Sequence, residues 1–216
     1  RTGVYRFSFQ VNNLSDREQV YTLDGVALTD QVNLDYPGYT FMGETSRALG
    51  ASVVFRAENG QLPKLYDANG DGAVDMSDVQ VLLDGVNGLE KLSETVRQDF
   101  DLNGDGILDT ADVQILFEKV SAGFTALDVV KVPANGTATV HVTVTLTDAD
   151  KAYMDEYYEN GIYVDGFVRL YAQSEDGVDL SLPFMGFYGN WTDPSMYDVG
   201  SRAEYVMGDE ERYPYL

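Results

Sequence analysis

Two stretches of this chain carry oxygen donors at a spacing that suits one kind of chemistry. Asp67, Asn69, Asp71, Asp75 and Asp78 stand at positions 1, 3, 5, 9 and 12 of a twelve-residue loop, with the backbone carbonyl of Ala73 at position 7. Asp101, Asn103, Asp105, Asp109 and Asp112, with Ile107 at position 7, repeat the pattern 34 residues on (101 − 67). Calcium is a hard cation that takes about six to eight oxygens at ~2.3–2.6 Å, and a loop of this form presents them from these positions. Gly72 and Gly106 occupy position 6, where the chain must turn sharply. Val74 and Leu108, at position 8, are placed to pair the loops into a miniature core. Each loop runs into a helix that begins Asp-Val-Gln. Agreement at every ligand position in both copies argues for two bound calcium ions over plain Asp/Asn/Gly turns. Both loops close on Asp rather than Glu, so the following helix must sit closer to the ion for bidentate ligation. Four carboxylates per loop repel one another without a cation, so calcium binding and folding of this region are expected to be coupled.

The elements around the loops set where they sit. Residues from about Asp78 to Val86 and from Asp112 to Val120 have apolar side chains at helical spacing, with Val79, Val81, Leu82, Leu83 and Val86 in one and Val113, Ile115, Leu116, Phe117 and Val120 in the other. On both sides of this region the period changes to two. Tyr5, Phe7, Phe9 and Val11 alternate with polar residues, as do Val140, Val142, Val144 and Leu146. Val20 to Val32 reads as a strand region broken at Gly25, and Ala51 to Arg56 as a short strand. Thr147 to Asp150 starts a short helix that Asn160-Gly161 stops. Ile162, Val164, Val168 and Leu170 then alternate. A turn at Asp176-Gly177 leads to a partner strand of Val178, Leu180, Leu182 and Phe184, with Pro183 marking an edge or a local break.

The expected architecture is therefore mainly β: one β-sandwich made of residues 1–60 and 124–200, interrupted by a small α-helical module at 61–123, with 201–216 as linker or the start of a next domain. Val53-Val54-Phe55 and Val129-Val130-Lys131 are the expected arms of the hairpin that carries the insertion.

Composition limits the partners. With 14 Lys+Arg against 36 Asp+Glu the net charge is −22, which disfavours nucleic acid and anionic membrane surfaces. Hydrophobic residues at 44% nevertheless allow a buried core. There is no Cys, so disulfides, zinc thiolates and Cys nucleophiles are excluded. No apolar run approaches the ~18 residues of a membrane helix, so membrane insertion is not expected. Arg1 to Tyr5 go straight into strand-like alternation without the form of a signal peptide, which fits a cytosolic protein or an excised piece of a longer one.

The loop-helix repeats over residues 61–123 resemble a dockerin, a pair of EF-hand-like calcium loops each followed by a helix. The resemblance implies calcium at the loop positions above and docking to a cohesin-like protein in an extracellular assembly. At loop positions 10 and 11, often Ser/Thr pairs in that family, this chain has Met76-Ser77 and Thr110-Ala111. The two copies thus differ from each other, which points away from standard cohesin binding and its symmetric dual mode.

The flanking segments Val132 to Val140, Asn160 to Val168 and Leu182 to Trp191, the last containing Leu-Pro-Phe-Met-Gly-Phe-Tyr-Gly, resemble the fibronectin-type-III-like domain that follows the catalytic domain in lactocepin-type cell-envelope proteinases. Those are secreted, subtilisin-family serine endopeptidases. The resemblance implies a secreted or cell-wall-attached parent protease whose catalytic domain this sandwich touches and spaces.

The chain itself has no catalytic motif. A serine triad needs a histidine base, and the one histidine, His141, alternates with Val140 and Val142 on the polar side of a strand. Gly-Thr-Ser-Met-Ala, the subtilisin nucleophile motif, is absent. Asp155, Glu156 and Glu159 could form a glycosidase pair but read as the solvated face of the short helix. Phe184, Phe187, Tyr188 and Trp191 could stack on sugar rings, which leaves a carbohydrate-binding sandwich as a further alternative, although packing is the plainer expectation for them. The sequence thus points to a non-catalytic accessory module with two calcium ions in an inserted structural or docking element, the alternative being a cohesin-binding anchor.

Overall fold

The computed structural model of the protein describes residues 2–35, 41–124, 126–174 and 177–190. Among them the chain forms strands β1 (Val4–Asn12), β2 (Gln19–Asn33), β3 (Phe41–Ala48), β4 (Ser52–Ala57) and β5 (Gly60–Gln61), helices α1 (Met76–Val86), α2 (Glu94–Asp99) and α3 (Thr110–Ser121), strands β6 (Asp128–Val132) and β7 (Thr137–Thr145), helix α4 (Asp148–Tyr157), and strands β8 (Ile162–Ala172) and β9 (Leu180–Tyr188). One sheet has the order β1-β7-β4-β5. The other has the order β3-β2-β8-β9, with β6 also paired to β2. Every pairing is antiparallel. The protein is thus mainly β, with two antiparallel sheets in a sandwich.

Strict alternation explains why the sheets face one another. β8 alternates buried and exposed residues along almost its whole length. Its Val164, Val168 and Leu170 share a core with Val140, Val142 and Val144 of β7 in the opposite sheet, and with Leu23 and Ala27 of β2. Each such aliphatic side chain, taken out of water, contributes roughly 1.5–3 kcal/mol. His141 points to the exposed side of β7, opposite Ser8 and Arg56.

Two expectations change in the sheets. Gly25 does not break the second strand: β2 runs unbroken through it, paired to Val168 of β8. A Cβ at Gly25 would lie 2.5 Å from Val53 Cγ1 and 3.1 Å from Phe55 Cζ, so the glycine leaves room for side chains of β4 in the opposite sheet. The expected hairpin of Val53–Phe55 with Val129–Lys131 does not form. β4 pairs with β7 and β5, whereas β6 pairs with β2 in the other sheet. The chains flanking the helical region meet instead at Pro63–Leu65 and Leu127–Val129, where Leu65 N–H donates to the Leu127 carbonyl and Val129 N–H to that of Pro63, both at 2.9 Å. Lys64 Nζ reaches Asp128 Oδ1 at 2.7 Å across this stem.

Thr147 caps the start of α4, where the helix is expected to begin, but α4 ends at Tyr157, so Glu159 lies beyond it. Tyr153 of α4 fills a bulge in β2, donating its hydroxyl proton to the Asp30 carbonyl at 3.0 Å and accepting from Val32 N–H at 2.9 Å. β3 and the short helix α2 have no counterpart in the sequence reading. β9 is an edge strand that accommodates Pro183, and it begins at Leu180, leaving Val178 before it and 69% exposed. Gly177 N–H donates to the Ser174 carbonyl at 3.0 Å, while Asp176, Trp191 and residues 192–216 lie outside the described residues.

The helical region has a core of its own: Val79, Leu82, Leu92, Phe100, Val113 and Leu116, with Leu108 packed against it. Leu62 packs with the sandwich rather than with this second core. Among the described residues no helix is long and apolar enough to cross a membrane.

Candidate metal centre

The same local rule builds both loops. Asp75 and Asp109, at position 9, are the N-caps of α1 and α3, and each forms a capping box with the position-12 carboxylate. Asp78 and Asp112 are fully buried. Asp78 accepts from the Ala68 and Asn69 amides at 2.8 and 3.2 Å through Oδ1, and from the Asp75 amide at 2.8 Å through Oδ2. Asp112 repeats this with Leu102, Asn103 and Asp109 at 2.8, 3.2 and 2.9 Å. Position 12 therefore ties the start of each loop to the start of its helix.

Position 1 does the opposite job and closes the loop on itself. Asp67 accepts from Gly70 and Asp71 through Oδ1 at 2.7 and 3.2 Å and from Gly72 through Oδ2 at 2.8 Å. Asp101 accepts from Gly104, Asp105 and Gly106 at 2.9, 3.1 and 2.8 Å in the same way. Gly72 has φ +89° and Gly106 φ +85°, which glycine adopts without a Cβ penalty. Asn69 and Asn103 accept from the amides of Asp71 and Asp105, and these carboxylates accept from the amides of Ala73 and Ile107 at 2.8 Å. The hydroxyl of Ser77, followed by its amide, holds Asp75 below the usual carboxylate range against a small opposing effect of burial.

All side-chain donors in this set are oxygens of Asp and Asn, the chemistry a hard divalent cation prefers. Among the described residues, no three or more His, Cys, Asp or Glu side chains are gathered as a metal-holding group. The carboxylates are directed at loop amides. Each of their oxygens has more than one lone-pair site, so accepting an amide does not by itself exhaust it.

The two loops also begin alike in a way the sequence reading passed over. Tyr66 precedes Asp67 and Phe100 precedes Asp101, and both aromatic residues line a cleft of about 270 Å³ between the helical region and the sandwich. Extending the repeat back by one residue would have found this pair. Starting at the loop-proximal N-terminal ends of the two helices, Met76, Val79, Gln80 and Leu83 of α1 face Thr110, Val113, Gln114 and Phe117 of α3 across a shallow groove. Met76 and Phe117 are about half exposed there.

The residues considered for other chemistry are distributed differently. Asp155 Oδ2 accepts from the Tyr188 hydroxyl at 3.1 Å. Phe184 stacks on Phe7 at 5.2 Å, Tyr188 is buried, and Phe187 meets Tyr163 edge-on at 5.5 Å. Three of the four proposed sugar-stacking aromatics are thus engaged in packing, and Trp191 lies outside the described residues.

No curated protein matches the chain. Residues 92–185, from the second loop-helix unit through β6, β7, α4, β8 and much of β9, match the family model described as an Fn3-like domain, and this match supports a fibronectin-III-like domain built on the two antiparallel sheets. Domains of that kind are typically non-catalytic, which is consistent with a non-catalytic role for this one.

Proposed function

We propose that the chain is a non-catalytic accessory module whose helical insertion, dockerin-like in its repeat, binds two calcium ions and serves as a rigid structural element on the sandwich. The observation that carries this is the duplication of one hydrogen-bond pattern in two loops, with a buried Asp at position 12 and a loop-closing Asp at position 1 in each. One ion would be held by Asp67, Asn69, Asp71, the Ala73 carbonyl, Asp75 and Asp78, and the other by Asp101, Asn103, Asp105, the Ile107 carbonyl, Asp109 and Asp112. The cations would supply charge neutralisation: residues 61–123 hold 13 acids and 4 bases. Calorimetric titration of chelator-treated protein tests the reading, together with melting followed at helical wavelengths. At calcium about 100 times its Kd each site contributes about 2.7 kcal/mol of stabilisation. Absence of binding heat together with an unchanged helical melt would overturn it, and an Asp67→Ala, Asp101→Ala variant should abolish the effect.

A second reading is docking of a cohesin-like protein, favoured by the α1/α3 groove with its part-exposed Met76 and Phe117. Titration against a cohesin panel separates the two, because no binding at micromolar concentration leaves the structural role. The wider setting we infer is a secreted or wall-attached subtilisin-like protease whose catalytic domain contacts the sandwich. An Asp…His…Ser catalytic domain upstream in the full-length sequence is its test.

A further inference from the structure

Tyr66 connects three parts of the molecule. Its backbone is left-handed, with φ +71°, a conformation that a bulky residue keeps only where its surroundings impose it. Its ring lies 5.2 Å from that of Phe124, just past α3, and Lys119 Nζ of α3 lies 5.1 Å from its centroid. On its N-terminal side is the stem of Pro63–Leu65 and Leu127–Val129, and on its C-terminal side is Asp67, whose amide donates to the Lys64 carbonyl at 3.3 Å. The first loop therefore cannot shift at position 1 without moving either the Tyr66 backbone or its clamped ring. The second loop has a matching connection, since Asp99, two residues before Asp101, pairs with Lys131 of β6 at 2.6 Å.

We propose that Tyr66 makes the seat of the helical region on the sandwich sensitive to calcium: a cation that orders the first loop fixes the Tyr66 backbone, and the clamped ring passes that order to the stem and to the end of α3. This rests on the calcium reading of the loops. Coupling of this kind is reciprocal, so whatever stiffens the stem also tightens calcium binding.

The test combines calcium calorimetry with amide hydrogen exchange on the whole chain, read at Leu65 and Val129, the two amides that close the stem. Calcium is expected to slow exchange at both by at least about fivefold relative to chelator. Tyr66→Gly, which keeps the left-handed backbone accessible and removes the ring, should still bind calcium and lose that slowing. Phe124→Ala should do the same from the other side of the stack, and Tyr66→Phe should behave as the parent. Calcium binding with unchanged exchange at Leu65 and Val129 overturns the coupling while leaving the calcium reading intact, as does full slowing in both Tyr66→Gly and Phe124→Ala. Absence of calcium heat in the parent protein overturns the calcium reading and this inference with it.

Discussion

Lys131 of β6 and Asp99 at the end of α2 form an ion pair of 2.6 Å between residues 32 apart in sequence, and it ties the helical region to the sandwich. Their side chains are 29% and 42% exposed, so water and salt screen much of the attraction. Lys131→Met is therefore expected to lower global stability by less than about 1 kcal/mol. The checks are denaturant melts at low and at high salt, with the difference between the two proteins shrinking at high salt.

The helical region has a small core of its own, so it should fail before the sandwich. Leu82 and Leu116 are fully buried there. Leu82→Ala is expected to cost about 2–5 kcal/mol. Circular dichroism should show early loss of helix, while near-ultraviolet signals from the sandwich aromatics persist. A single transition in which both signals fall together would contradict the separation of the two cores.

Gly25 marks a contact between sheets rather than a turn. Gly25→Ala places a methyl group 2.5 Å from Val53 Cγ1. The expected loss is about 1–3 kcal/mol, by overpacking. Combining it with Val53→Ala, which removes the opposing methyl groups, should recover part of that loss in a double-mutant cycle.

The Tyr5 hydroxyl is buried and has no hydrogen-bond partner among the described residues. Burial, and then the neighbouring Tyr188, push its pKa up to about 12. Tyr5→Phe removes an unsatisfied polar group without changing the ring, so it should be neutral or should stabilise by up to about 1 kcal/mol. A lower melting temperature for the variant would contradict this.

Asp150 gives the sandwich an acid-side dependence. Burial raises its pKa, but the Thr147 hydroxyl, the amides of Gly50 and Thr147 and the charge of Arg47 outweigh that and hold it below its ordinary value of 3.8. A carboxylate depressed in the folded state stabilises above its unfolded pKa, and that contribution is lost as pH falls through the folded value. Asp150→Asn is expected to lose about 0.5–1.5 kcal/mol near neutrality, because Asp150, at N3, completes the capping box of α4 and accepts from the Thr147 and Gly50 amides. The gap to the parent protein should narrow as pH drops below 3.8. Urea melts at a series of pH values measure it.

Much of this architecture is legible in local sequence. Alternation in Tyr5 to Val11, Val140 to Val144 and Ile162 to Leu170 is enough to place β1, β7 and β8, because a half-buried strand must keep apolar side chains on one face. The loop positions are equally local: an Asp that accepts amides three to five residues ahead, and one that caps its own helix, need only the order of residues. The sequence by itself therefore determined the alternation of strands with a helical stretch between them, and the placement of oxygen-bearing side chains along each loop. Tertiary structure decided which strands pair. Val53 to Phe55 and Val129 to Lys131 are each good strands, and nothing local records that one joins β7 and the other β2. It decided that Gly25 is a close contact, since the clash comes from Val53 across the sandwich. It also placed Tyr66 and Phe100 in one cleft, beside an ion pair whose partners lie 32 residues apart. These are long-range contacts, and their free energy depends on which surfaces meet once the sheets have closed.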